Sequence, residues 1–181
     1  MVLLEGKGGL ELGDEIPQFN LKNIDNSLLS SDSLKKQVKL IVFTCNHCPY
    51  AQAGWPKLVH IYSKFKDRVD FVAINSNDAV NYPEDSFENM KPFAQEHSIP
   101  FPYLHDETQE VAKAYGAKCT PDVYVFHNDT LQYRGRIDSQ FDAPYSETEH
   151  DLENALQEIT QTGKFTGTSK PSMGCSIKWK T

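Results

Sequence analysis

The stretch from Phe43 to Tyr50, FTCNHCPY, sets two cysteines, a histidine and a proline directly behind the apolar run Val38 to Thr44, VKLIVFT. A short run of β-branched and aromatic residues fits a strand buried on both faces. The segment behind it, Pro49 to about Phe65, fits a helix, because a proline in the first turn lacks only an N–H that would have no intrahelical partner. Trp55, Leu58, Val59, Tyr62 and Phe65 recur at helical spacing, and Pro56 is expected to kink the helix. The cysteine pair is therefore expected where a core strand turns into a helix.

That position selects a chemistry. At a strand-to-helix turn the first sulfur of C-x-x-C is expected near free backbone N–H groups and the positive end of the helix dipole, which stabilise a thiolate. Cys48, one helical turn on, can close a disulfide with it. The expected division is thus Cys45 attacking and Cys48 resolving. His47 between them supplies a cation when protonated, or is a solvated helix residue.

The rest of the chain reads as one α/β domain. Val69 to Asn75 is a second buried strand, and Pro83 with Glu84 and Asp85 opens a helix running to about His97, its carboxylates near the positive dipole end. Phe101 to Leu104 reads as extended, and Glu107 to Tyr115 as a helix stopped by Gly116. Asp122 to Phe126 and Leu131 to Arg136 flank a turn-prone Asn128-Asp129 and form a hairpin. Glu147 to about Thr162 is a last helix. Before the core strand come a short strand, Phe19 to Leu21, and a turn at Asp25 and Asn26. The expected organisation is a mixed-sheet domain over residues 1–165, with an irregular tail over 166–181 packed on or near it.

A chain of 181 residues with net charge -7 and sequence pI near 5.3 does not suit nucleic acid or an anionic membrane surface. MVLLEGKGGL is broken at Glu5 and Lys7 and does not read as a signal peptide, so a cytoplasmic location is expected. There, four cysteines are no disulfide scaffold, and a close pair points to redox chemistry or metal binding.

Gly13, Pro17, Phe19 and Leu21, the core strand, Cys45-x-x-Cys48, and Thr120-Pro121 before an apolar strand together resemble the redoxin (AhpC/TSA) branch of the thioredoxin superfamily. NHCPY, YPEDS, GAKCTP and GCSIKWK are similar to a peroxiredoxin-like group within it. The resemblance implies a thioredoxin-like fold with an N-terminal strand extension, and a thiol-disulfide oxidoreductase or an antioxidant thiol peroxidase. It implies no organic cofactor and no metal, since the dithiol carries the electrons. The implied partners are a disulfide-bearing protein or small thiol substrate and an upstream reductant, with the chain a monomer or weak homodimer. It also implies a cis Thr120-Pro121 bond opposite the dithiol, with Thr44, His47, Thr120 and Pro121 supporting the site.

Two departures from the family pattern qualify this. Aligned on Cys48, the peroxidase pattern Pro-x-x-x-Thr/Ser-x-x-Cys has Ile41 and Cys45 where its Pro and Thr/Ser belong, and Arg134 and Arg136 are the remaining candidates to attract a peroxide. Thioredoxins carry Trp before the first cysteine and a buried Asp upstream, where this chain has Thr44 and Lys39. Cys119 and Cys175 stand as accessory thiols, Cys175 pairing with Cys119 or regulating access. The alternatives are a structural zinc site using all four cysteines and a module that keeps the fold without catalysis.

Overall fold

The computed structural model describes residues 3–6 and 8–181. In chain order the strands and helices are β1 (Leu3–Glu5), β2 (Asn20–Asn23), β3 (Leu28–Ser30), β4 (Val38–Phe43), α1 (Pro49–Phe65), β5 (Val69–Asn75), α2 (Phe87–Glu96), β6 (Tyr103–His105), α3 (Glu110–Tyr115), β7 (Cys119–Thr120), β8 (Asp122–His127), β9 (Thr130–Gly135), α4 (Asp151–Thr162) and β10 (Met173–Ser176).

Seven strands form one mixed sheet in the order β3-β2-β6-β5-β4-β8-β9. β4 runs parallel to β5 and antiparallel to β8, so it lies at the centre with both edges paired. All six of its residues are buried, as an apolar run without alternation requires. Val38, Leu40 and Val42 pack with Trp55, Leu58 and Ile61 of α1 and Leu156 of α4. Ile41 and Phe43 point the other way, onto Tyr115 of α3 and Tyr124 of β8. β4 therefore delivers Cys45 from the most tightly held strand of the molecule.

Several boundaries moved for identifiable reasons. α1 runs unbroken through Pro56. The segment from Pro83 begins as a 3₁₀ turn, Pro83–Asp85, and α2 starts only at Phe87, because Asp85 turns inward to bond the cysteine loop. α3 starts at Glu110, where the Asp106 carboxylate accepts the Ala112 N–H at 2.9 Å and Gln109 takes a left-handed φ of 64°. The β8–β9 hairpin turns at Asn128 and Asp129, with φ of 47° and 64°, a conformation Asn and Asp tolerate.

The tail corrects the expectation of an irregular segment. β10 pairs antiparallel with β7 on one side and β1 on the other, making a second, three-stranded sheet. Its seating requires glycine: a Cβ on Gly174 would lie 2.1 Å from the Thr120 carbonyl oxygen. Beyond it the Lys178 N–H donates to Asn77 Oδ1 at 2.9 Å, and Gln109 Nε2 donates to the Lys178 carbonyl at 2.8 Å. Among the described residues no helix is long and apolar enough to cross a membrane.

Candidate active site

Cys45 follows the C-terminal end of β4, and Cys48 is the capping residue of α1, with φ −72° and ψ 125°. The two residues pack together with Ala51 and Cys175 in one buried cluster. Both residues are closed off from solvent, Cys45 0% and Cys48 1% exposed. The Thr120–Pro121 bond is cis. The Thr120 hydroxyl lies 3.4 Å from Cys45 Sγ, and its carbonyl accepts from the Cys48 thiol at 3.4 Å. Thr44 is held through its N–H to the Ile74 carbonyl at 2.9 Å, while its buried hydroxyl has no hydrogen-bond partner among the described residues.

The loop between strand and helix is clamped by a buried carboxylate. Asp85 Oδ1 accepts the N–H groups of Asn46 and His47 at 2.7 and 3.2 Å, and Oδ2 meets His47 Nδ1 at 2.5 Å and Asn77 Nδ2 at 2.7 Å. Tyr103 donates its hydroxyl to Asn46 Oδ1 at 2.9 Å, and Trp55 donates its indole N–H to the Cys45 carbonyl at 3.1 Å. His47 is thus no solvated helix residue; it is half-buried, paired with Asp85 and stacked on Tyr82. Asp85 is the residue the sequence reading placed at a helix dipole rather than here. Its one sequence signal is an acidic residue two positions after a proline, which equally describes an exposed helix start.

Lys39, standing where thioredoxins have their buried Asp, bonds Asp129 at the far end of the sheet. Arg134 is tied to Asp122 at 3.0 Å, and Arg136 to Asp151 and Glu149 at 2.8 and 2.9 Å. Carboxylates claim both arginines.

The two thiols sit in different electrostatic surroundings. Burial pushes the Cys45 thiol well up, and the neighbouring Cys48 and Asp85 charges add to the effect. Cys48 is held below the ordinary thiol value, first by the Cys45 thiol directed at it, against the cost of burial, and then by the Cys175 thiol and the Ala51 N–H. Cys48 also stands at the positive end of α1, whereas Cys45 faces a carboxylate. The helix end lies on the Cys48 side of the pair, where the Thr120 carbonyl also accepts from the Cys48 thiol.

The accessory thiols separate. Cys175, 2% exposed, packs with Cys45, Cys48 and Ala51, and burial and Cys48 push its thiol up to about 12. In the β7–β10 register it lies opposite Thr120, whereas Cys119 lies opposite Ser176. The Cys119 thiol is directed at the Pro121 carbonyl at 3.7 Å, and burial raises its pKa. The four cysteines thus do not converge as a tetrahedral zinc site would require. Cys45, His47 and Asp85 do place ligand atoms within 4.8 Å of one another. Yet the 2.5 Å His47–Asp85 contact is shorter than the roughly 3.3 Å edge of a tetrahedral site with ~2.0 Å bonds, and is a hydrogen bond.

The His47–Asp85 pair gives a pH signature. The Asp85 hydrogen bond raises His47 above its ordinary value, against burial, and the bonds from His47, Asn77 and Asn46 bring Asp85 below its own, also against burial. The His47 contribution to stability is complete below about pH 6.5 and fades as pH rises through its folded value; the Asp85 contribution is present above about pH 3.9 and fades as pH falls. Asp85→Asn is expected to move the His47 titration midpoint downward in an NMR pH titration. An unmoved midpoint refutes the pairing.

Beside the dithiol runs a groove of about 290 Å³, lined by Tyr50, Gly54, Pro121, Ile137, Phe141 and Met173 among others. Phe141 and Met173 are substantially exposed there.

The crystal structure of an uncharacterized conserved protein from Geobacillus kaustophilus is 44% identical, covering 99% of this chain and 97% of that one, with a TM-score of 0.92. The thiol-disulfide oxidoreductase ResA of Bacillus thuringiensis subsp. konkukian is 21% identical over 152 residues, 83% of this chain and 80% of that protein. The thioredoxin domain of a thiol-disulfide oxidoreductase from Bacteroides vulgatus shares the fold, at TM-score 0.66 and 15% identity over 83% of this chain and 99% of that one. The fold is thioredoxin-like. The AhpC/TSA family model matches residues 12–134, a span from the N-terminal strands through the cysteine loop to β9, and the chain belongs to the AhpC/TSA family.

Proposed function

We propose that this protein is a thiol-disulfide oxidoreductase whose working couple is Cys45 and Cys48. One observation carries the reading: two thiols packed together at the N-terminus of α1, both against the cis Thr120–Pro121 segment. The Cys48 thiolate attacks one sulfur of a substrate disulfide, forming a mixed disulfide and releasing the first substrate thiolate. Cys45, once deprotonated, attacks Cys48, forms the Cys45–Cys48 bond and releases the second. Two electrons pass from protein to substrate, one leaving thiolate takes up the Cys45 proton and the other takes one from water in place of the proton Cys48 released on ionising, and no cofactor or metal is needed. This order reverses the division expected from the sequence, because the helix end and the two neighbouring thiols converge on Cys48.

The partners in this reading are a disulfide-bearing protein or small thiol substrate and an upstream reductant. The groove beside Pro121, with Tyr50, Phe141 and Met173, suits an extended peptide flanking a disulfide. Peroxide reduction is the second reading, favoured by the family and by a thiolate on Cys48, with the Cys45 thiol standing where a peroxidase has its hydroxyl. Against it, Arg134 and Arg136 are engaged by carboxylates.

The test is a redox titration with thiol trapping and mass mapping, run beside a hydrogen peroxide consumption assay. Expected is a two-electron Cys45–Cys48 midpoint between about −270 and −120 mV with slow peroxide turnover. Rapid peroxide-driven oxidation of Cys48 would favour peroxidase activity instead.

A further inference from the structure

We propose that Cys175 is a third redox-active thiol, which takes over the disulfide at Cys48 and so locks β10 across the site. This rests on the oxidoreductase reading and extends it to a residue more than a hundred positions away.

Cys45 after β4, Cys48 at the start of α1 and Cys175 in β10 pack into one buried cluster, with Cys48 and Cys175 both set against Thr120. The tail is seated rather than draped: Gly174 lies where any side chain would collide with Thr120, and Cys175 pairs in register with Thr120 itself. Downstream, Asn77 and Gln109 hold the Lys178 backbone, and Gln109 Oε1 accepts the Lys180 N–H at 2.8 Å. β10 thus closes over the dithiol while presenting a thiol to one of its sulfurs.

The exchange balances within the chain. Starting from the Cys45–Cys48 disulfide, Cys175 loses its proton and attacks Cys48 Sγ; the Cys48–Cys175 bond forms, the Cys45–Cys48 bond breaks, and Cys45 leaves as a thiolate that takes up a proton. No electrons enter or leave. The same attack on a mixed disulfide at Cys48 releases the substrate thiolate and completes its reduction, as Cys45 does in the direct route. Burial and the Cys48 charge both keep the Cys175 thiol protonated in the reduced site, and oxidation of Cys48 removes the second of these. Cys175 therefore becomes a better nucleophile when its target is in the disulfide form.

Full-length Cys45→Ser, Cys175→Ser and unsubstituted protein are each oxidised with oxidised glutathione, blocked with N-ethylmaleimide and mapped by peptide mass. Cys45→Ser is expected to lose two of its three remaining thiols to a Cys48–Cys175 disulfide, with glutathione released rather than retained. The unsubstituted protein is expected to yield Cys48–Cys175 peptides beside Cys45–Cys48 peptides. If Cys175→Ser forms the Cys45–Cys48 disulfide but Cys45→Ser keeps glutathione on Cys48 or pairs Cys48 with Cys119, the role of Cys175 is overturned and the oxidoreductase reading stands. If neither variant forms a protein disulfide at Cys48, both fall.

Discussion

Cys48→Ser is expected to lower disulfide-reductase turnover, measured with insulin or another disulfide substrate, by about three orders of magnitude. The size follows from the arrangement around one sulfur. In the proposed mechanism Cys48 is the thiolate at the helix end and bonds the substrate, and it packs with both Cys45 and Cys175. A serine hydroxyl titrates far above neutral pH and forms no disulfide, so attack and resolution are lost together. Cys45→Ser is expected to retain the first step: it forms a mixed disulfide with substrate in a single turnover, because the Cys48 thiolate remains. A Cys45→Ser protein that forms no mixed disulfide, beside a Cys48→Ser protein that does, would restore Cys45 as the attacking residue.

Trp55→Ala is expected to cost about 3–5 kcal/mol in urea unfolding, a folded-to-unfolded ratio lower by roughly 10² or more. Trp55 is fully buried, with its ring against Tyr103 at 4.9 Å and Phe101 at 6.2 Å between centroids. The loss therefore combines a large cavity with an unpaired carbonyl, since the indole N–H is donated to the Cys45 backbone oxygen. Trp55→Phe keeps most of the volume and loses the donor, so a smaller cost of about 1 kcal/mol is expected. Equal costs for the two substitutions would show that the bond to the cysteine loop, rather than volume, is decisive.

The site thus depends on the core that carries it. β4 and α1 were legible because their signals are local: VKLIVF is a short, largely apolar run broken only by Lys39, and Pro49 marks a helix start. The same holds for β5 and for the β8–β9 hairpin, whose Asn128 and Asp129 suit a turn. Asp85 was legible only as a residue near a helix start. Its burial beside His47 depends on α2 being preceded by a 3₁₀ turn that swings the carboxylate inward, which no periodicity encodes. β10 was missed for a related reason. A four-residue strand containing glycine carries little intrinsic preference, and it becomes a strand because β1 and β7 offer unpaired edges on either side of it.

By itself, the sequence determined the α/β architecture, the placement of Cys45 and Cys48 at a strand-to-helix turn, and the Thr120-Pro121 element facing them. The first two follow from hydrophobic runs and proline positions, properties of neighbouring residues, and the third was implied by the resemblance to the AhpC/TSA branch. Only the tertiary structure decided what surrounds each sulfur, what clamps the loop, and which distant thiol packs against the pair. A thiolate is stabilised or penalised by every group within a few ångströms, and here those groups come from residues 85, 120 and 175 as well as from α1. Chain distance carries no information about such contacts; packing of the tail against the cis-proline segment creates them.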